Sequence, residues 1–108
     1  MRIRKARKAD YPEIFKLAAK YALDYRQMKT DDFFVADDGD KIVGICGLKK
    51  HRDCLELCSL GVDEAQRNKG LGARLVHAVL KKAKGKIYLT TTIPGFFEKF
   101  GFKKAVRF

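Results

Sequence analysis

The stretch Arg67–Ala73, which reads R-N-K-G-L-G-A, follows an apolar segment and opens an amphipathic one. Gly70 and Gly72 lack a Cβ, so the backbone there can approach a bound group closely. A helix that begins at this point offers unpaired N–H groups and the positive end of its dipole, and Arg67 and Lys69 add charge. The stretch therefore predicts an anion-binding turn, although a glycine-rich turn that only joins a strand to a helix would show the same pattern.

Outward from this turn, the apolar spacing predicts strands and helices. Leu71, Leu75 and Val79 recur every four residues, as on the buried face of a helix. The predicted elements are a strand at 2–6, a helix opened by the capping box Asp10-Tyr11-Pro12-Glu13, strands at Phe33–Ala36, Lys41–Lys49 and Cys54–Val62, a helix at Gly70–Lys84, a strand at Lys86–Thr92, a short helix at Pro94–Phe100 and a strand at Phe102–Phe108.

This order, β-α-β-β-β-α-β-α-β, predicts an α/β (α+β) fold. The hairpin Phe33–Lys49 implies antiparallel pairing, whereas a strand, a crossover helix and a further strand imply a parallel pair with a right-handed connection. We therefore expect a mixed, mostly antiparallel sheet with helices on both faces.

Length and composition bound the class of protein. The chain has 108 residues, of which 46% are apolar, and this suits one folded domain over residues 1–108. No apolar run approaches the roughly 18–20 residues that span a bilayer, and no apolar stretch follows the charged N-terminus, so we expect a cytoplasmic protein without a membrane span. Cys46, Cys54 and Cys58 fit no zinc-ligand spacing, so we expect reduced thiols and no metal.

The formal net charge of +11 favours an anionic partner, which could be a nucleic acid, an acidic protein or a phosphorylated cofactor. The basic residues are spread along the chain, which is typical of a solvated surface. No helix-turn-helix, zinc-finger or RRM motif accompanies them. Nucleic acid is therefore the least favoured of these partners.

Several motifs, in order, resemble the GCN5-related N-acetyltransferase (GNAT) family. A strand ending L-G-V-D at Asp63 is followed by R-x-x-G-x-G, an amphipathic helix and F-F-E-K-F-G-F at Phe96–Phe102, where the family has F-Y-x-K-x-G-F. The N-terminal half is also similar, with I-R-K-A-x-x-x-D opening a helix and F-F-V-A-D-D-G-D-K-I-V-G-I as a hairpin. The resemblance covers essentially the whole chain and implies a compact version of the GNAT fold.

The resemblance implies acetyl-CoA as cosubstrate, bound along the glycine-rich turn. Backbone amides of Arg67–Ala73 would hold its pyrophosphate, and backbone groups of Leu60 and Val62 would pair with its pantetheine arm as if with an added strand. The fourth and fifth strands would splay apart around the thioester. The implied cosubstrate-binding residues are Leu60, Gly61, Val62, Arg67, Asn68, Lys69, Gly70, Leu71, Gly72, Ala73, Phe97 and Lys99.

Catalysis needs a neutral amine, and a lysine-like amine with a pKa near about 10.4 requires a base. Glu56 is the candidate, because it stands where histone-type members of the family carry their catalytic Glu. Strand alternation places it on the same face as Cys54 and Cys58, although a solvent-facing Glu would fit this pattern equally well. The Leu60 N–H is implied as donor to the oxyanion of the transition state.

Phe97 departs from the family pattern, because many members have there a Tyr that protonates the leaving thiolate. Phenylalanine has no proton to give. Tyr88, Cys58 and solvent are the alternative proton donors.

The runs L-E-L-C-S-L-G-V and L-T-T-T-I-P-G-F-F-E-K-F-G-F resemble most closely the amino-acid acetyltransferase branch that contains N-acetylglutamate synthase domains, where the Phe-Phe pair is usual. Cys58 replaces an Arg of that branch, a residue suited to a substrate carboxylate. In the short segment Ala22–Asp32, Arg26 and Lys29 offer alternative cations for an anionic acceptor.

We therefore expect an acetyl-CoA-dependent N-acetyltransferase that acts on the primary amine of a small molecule or amino acid. One alternative is a non-catalytic GNAT-like module that binds acetyl-CoA or CoA. Another is an acetyltransferase that modifies lysine in a protein or peptide. The apolar last strand, Phe102–Phe108, would have to be covered if its edge were exposed. A second copy of the chain could cover it, so a homodimer is a further alternative.

Overall fold

The computed structural model describes residues 1–23, 25, 28–91 and 93–103 of the chain. Its strands and helices are β1 (Arg2–Lys5), α1 (Tyr11–Lys20), β2 (Phe33–Asp37), β3 (Ile42–Lys50), β4 (Leu55–Val62), α2 (Leu71–Lys82), β5 (Ile87–Tyr88) and α3 (Pro94–Glu98). Short 3₁₀ turns precede α1, β2 and α2. Within the described residues no helix is long and apolar enough to cross a membrane.

The five strands form one sheet in the order β1-β2-β3-β4-β5. The first three pairings are antiparallel, and β4 pairs with β5 in parallel. Side chains of β2 alternate between two cores: Phe34 and Ala36 pack with α2 on one face, and Phe33 and Val35 pack with α1 on the other. The prediction of a mixed, mostly antiparallel sheet with helices on both faces is confirmed.

Strand β5 is shorter than predicted. Its ladder with β4 has only two rungs, Leu55 with Ile87 and Glu56 with Tyr88. Beyond them the Thr91 hydroxyl accepts a hydrogen bond from the Ile93 N–H at 2.9 Å, and such a local turn competes with strand pairing. Of the predicted strand Phe102–Phe108, residues 104–108 lie outside the described residues.

The expected capping box at the start of α1 is wrong. The Asp10 carboxylate accepts hydrogen bonds from the Arg7 N–H at 2.7 Å and from the Arg4 guanidinium at 2.7 and 3.0 Å. The Arg4 guanidinium, followed by the Arg7 N–H, holds the pKa of this carboxyl below its usual range. Glu13 accepts instead from the Ile42 N–H at 2.7 Å. The Asp10 carboxylate thus binds residues just before α1, and Glu13 joins the helix to β3, so neither carboxylate caps the helix end.

Candidate active site

A groove of about 820 Å³ runs between the C-terminal end of β4 and the N-terminal end of α2. It brings together most of the predicted cosubstrate-binding residues. Those that line it are Leu60, Gly61, Val62, Arg67, Asn68, Gly70, Leu71, Gly72, Ala73 and Lys99. Residues that precede α2 in the sequence and residues that follow it therefore line the same concave surface.

One wall of the groove is shaped by a bulge in β4. Cys58 pairs with Gly47 and Gly61 pairs with Ile45, so β4 has one more residue than β3 between these rungs. Ser59 takes the extra step in a left-handed conformation, with φ of 53°. A bulge re-aims the side chains that follow it. Leu60 therefore packs on the face of the sheet that α2 covers, while Gly61 faces the side that α1 covers.

The pairing of β4 with β5 ends at Glu56. Strand β4 continues through Leu57–Val62, whereas β5 ends at Tyr88. Among the described residues, this part of β4 therefore has no partner on β5. This is the arrangement that the family resemblance implies for the thioester.

The other wall is the N-terminus of α2. Gly70 precedes the helix with φ of 78° and Asn68 has φ of 66°, both left-handed. No side chain in the described part of the chain caps this helix end. The first helical bond runs from the Arg74 N–H to the Gly70 carbonyl at 3.1 Å. The N–H groups of Leu71, Gly72 and Ala73 are left without an intrahelical partner, and they can bind an anion.

Arg67 is held beside this helix end by two contacts. Its Nε donates to the Val62 carbonyl at 3.0 Å, and its guanidinium lies 4.8 Å from the centre of the Tyr21 ring. The Tyr21 hydroxyl donates to Asp63 Oδ1 at 2.9 Å and accepts from the Glu64 N–H at 3.0 Å. Tyr21 itself lines the groove. The end of α1 is therefore tied directly to the anion-binding turn.

The side chains of α3 divide between core and groove. Phe97 is buried at 5% exposure and belongs to the α2 core, whereas Phe96 lines the groove. The Lys99 ammonium lies 4.5 Å from the centre of the Phe96 ring, at the groove margin. Lys69 is exposed, does not line the groove, and reaches Gln66 Oε1 at 3.3 Å.

Glu56 lies outside the groove lining, at the closed end of the opening between β4 and β5. Its carboxylate forms a hydrogen bond with His51 Nε2 at 2.8 Å, and its side chain is 35% exposed. Lys49 is its direct neighbour on β3, and Tyr88 is its neighbour on β5. Glu56 is thus solvent-accessible, with the exposed Tyr88 beside it.

Cys58 faces the α1 side of the sheet, where its thiol donates to Met28 Sδ at 3.5 Å. Burial raises the pKa of the Cys58 thiol to about 11. All three cysteines are free, and Cys46 is fully buried. The alternative cation Arg26 lies outside the described residues.

Sequence reasoning missed five residues that line the groove: Tyr21, Leu23, Gln66, Ile93 and Phe96. Tyr21 and Leu23 arrive from α1 and the segment after it. A Cβ on Gly61 would lie 2.7 Å from Leu23 Cδ1, so this glycine admits the close packing of that segment. The hydroxyl of Tyr21, on an otherwise apolar helix face, is the one signal that could have indicated a polar role.

Comparisons with known proteins agree with this geometry. Residues 1–102 match the Acetyltransferase (GNAT) family. The chain is 34% identical over 116 residues to an uncharacterized N-acetyltransferase of Chlorobaculum tepidum, and the match covers 94% of this chain and 75% of that protein.

Two solved structures with bound coenzyme A are similar to this chain. A Mycobacterium tuberculosis protein in complex with CoA and NLQ has a TM-score of 0.83 at 27% identity, with 98% of this chain and 74% of that chain covered. N-acetylglutamate synthase from Neisseria gonorrhoeae, complexed with coenzyme A and L-arginine, has a TM-score of 0.81 at 26% identity. That match covers 97% of this chain but 28% of the synthase. This chain belongs to the GNAT acetyltransferase family.

Proposed function

We propose that the protein is an acetyl-CoA-dependent N-acetyltransferase that transfers the acetyl group directly to the primary amine of a small molecule, with amino acids as the favoured class. The observation that carries the proposal is the N-terminus of α2, which has no side-chain cap among the described residues and shares one groove with Arg67 and with the end of β4 that extends beyond β5. Coenzyme A in both similar structures supports the same donor.

The residues present fit the donor. The pyrophosphate is anionic, and it would be held by the N–H groups of Leu71–Ala73 and by the Arg67 guanidinium. A Cβ on Gly72 would lie 3.5 Å from Phe96, an ordinary contact, so packing within the protein does not require glycine there. The missing Cβ instead leaves backbone open to a ligand. Backbone groups of Leu60 and Val62 line the groove where the pantetheine arm would pair.

The reaction joins the amine nitrogen to the thioester carbonyl carbon. As the C–N bond forms, charge gathers on the carbonyl oxygen, and the Leu60 N–H would donate to it. The C–S bond then breaks, so that the amide and the CoA thiolate separate. The proton lost by the amine passes to Glu56, directly or through one water, and the thiolate takes a proton from Tyr88, Cys58 or solvent.

The similar proteins support an amino acid as acceptor. A peptide α-amino group has a pKa of about 7.7–8.0 and a lysine side chain one of about 10.4, so most of the first and almost all of the second is protonated near pH 7. Either amine therefore needs a base such as the partly exposed Glu56. One similar structure contains NLQ beside CoA, and the other similar protein is named for the synthesis of an acetylated amino acid, N-acetylglutamate.

A non-catalytic acetyl-CoA-binding module is the second candidate. It is favoured by Phe97, which replaces the usual proton-donating Tyr of the family and is buried in the core. Such a module would bind the donor in the same groove without transferring its acetyl group.

The deciding experiment measures free-thiol release from acetyl-CoA with L-glutamate, other amino acids, polyamines and a lysine peptide as acceptors. Acetyl-CoA affinity is measured by calorimetry on the same preparation. We expect release that depends on an amino acid and exceeds the amine-free blank. Tight binding with no release from any acceptor would favour the non-catalytic module, and preference for the peptide would favour a protein lysine acetyltransferase. The metal-free reaction, the cytoplasmic location, the single domain and the homodimer stay predictions.

A further inference from the structure

We infer that Tyr21 is a positioning residue that keeps the Arg67 guanidinium available to the phosphate groups of the donor, by holding Asp63 away from it. This inference rests on the proposed function. It concerns a residue of α1's C-terminal end, outside the glycine-rich turn itself.

Asp63 lies four residues before Arg67, which lines the groove, and a salt bridge between them would offset the positive charge that phosphate needs. Within the described residues Arg67 forms no salt bridge. Asp63 Oδ1 accepts instead from the Tyr21 hydroxyl at 2.9 Å and from the Lys20 ammonium at 3.2 Å. These two groups, Tyr21 first, lower the pKa of the Asp63 carboxyl, so it stays an anion that needs such partners.

The same tyrosine fixes the direction of Arg67. Its ring lies 4.8 Å from the guanidinium carbon, and the Nε of Arg67 is bound to the Val62 carbonyl. The two terminal nitrogens of the guanidinium are then the ones left to form a bidentate contact with phosphate. The Glu64 N–H, which donates to the Tyr21 hydroxyl at 3.0 Å, holds the tyrosine in place. The Tyr21 side chain thus contacts the Arg67 guanidinium and also binds the Asp63 carboxylate that could compete for it.

The test is a double-mutant cycle on acetyl-CoA binding. Tyr21→Phe keeps the ring but frees Asp63 to approach Arg67, so we expect the Kd of acetyl-CoA to rise about five- to tenfold. In an Asp63→Asn background the same substitution should change the Kd less than about twofold, because no competing anion remains. Tyr11→Phe, at the other end of α1 and half exposed, is the matched control and should leave the Kd unchanged.

A second donor separates a phosphate effect from a general structural one. S-acetylpantetheine lacks the pyrophosphate, so its KM should be the same for wild type and Tyr21→Phe. An equal rise for both donors, or an equal rise in both backgrounds of the cycle, would overturn the inference while leaving the proposed function intact. Wild-type protein that does not bind acetyl-CoA at all would overturn the proposed function, and the inference with it. Thermal unfolding of each variant checks that it is folded under the conditions of the binding assay.

Discussion

Asp63, just beyond the C-terminal end of β4, accepts hydrogen bonds from Tyr21 and Lys20, whereas Glu56, near the start of the same strand, bonds to His51. The side chain of Asp63 is 17% exposed and that of Glu56 is 35% exposed. The two carboxylates therefore occupy opposite ends of one strand in different surroundings.

The difference indicates two ways of building the two halves of the site. In the proposed function, the donor would be held mainly by backbone, at a helix end, a bulge and a left-handed glycine, with side chains that hold these parts in place. Asp63 would serve that donor half as a fixed anion. The acceptor half would depend on a few accessible side chains, where Glu56, bonded to His51, would exchange a proton with the substrate. Changes in the first half should affect donor binding, and changes in the second should affect turnover.

The largest effect is expected from Glu56→Gln. Removing the general base should lower kcat about 10²–10⁴-fold while the Kd of acetyl-CoA stays the same, because Glu56 does not line the groove. Steady-state kinetics and calorimetry measure the two quantities. The control is Glu98→Gln, another exposed glutamate, which should keep full activity. A loss of less than tenfold in Glu56→Gln would remove Glu56 from the role of base.

The next effect concerns the donor half. Arg67→Ala removes a cation from the groove, so the Kd of acetyl-CoA should rise about 10- to 100-fold while kcat at saturation changes little. Lys69→Ala should raise the Kd about threefold or less, since that side chain lies outside the groove lining. Equal losses from both substitutions would mean that net charge, and not the position of Arg67, governs donor binding.

A smaller effect is expected on acceptor choice. Cys58 occupies the place where the related amino-acid acetyltransferase branch has Arg, so Cys58→Arg should lower the KM for an acidic amino acid about tenfold by pairing with its carboxylate. The flexible Met28 beside the thiol can move for the larger side chain. Cys58→Leu adds bulk without charge and should raise the KM. If both variants raised it alike, the Cys58→Arg guanidinium would not pair with the acceptor carboxylate; if neither changed it, the acceptor would not approach this face.

The sequence predicts the donor half well because its signals are local. Gly70 and Gly72, the strand before them and the helix after them are neighbours in the chain, and backbone geometry follows directly from them. Tyr21 could not be predicted in its role, because its partner Asp63 lies 42 residues away and its place on α1 suggested only core packing. The predicted capping role of Glu13 failed for the same reason, because its partner, the Ile42 N–H, lies 29 residues away. Asp10 is held by nearer residues, since the Arg4 guanidinium and the Arg7 N–H bind its carboxylate in place of the helix end.

The smallest expected effect is on the pH dependence of stability, to which Asp63 should contribute and Glu56 should not. Hydrogen bonds from Tyr21 and Lys20 lower the pKa of Asp63 in the folded protein, so its stabilising effect is complete above the unfolded-state pKa of about 3.9 and is lost as the pH falls through the folded value. Asp63→Asn should therefore lower the urea midpoint at pH 6, and its difference from wild type should shrink as the pH falls below about 3.9. Urea unfolding followed at several pH values measures this difference. In Glu56→Gln the urea midpoint should depend on pH as it does in wild type. If Asp63→Asn lowered the midpoint equally at every pH, the Asp63 charge would not stabilise the fold.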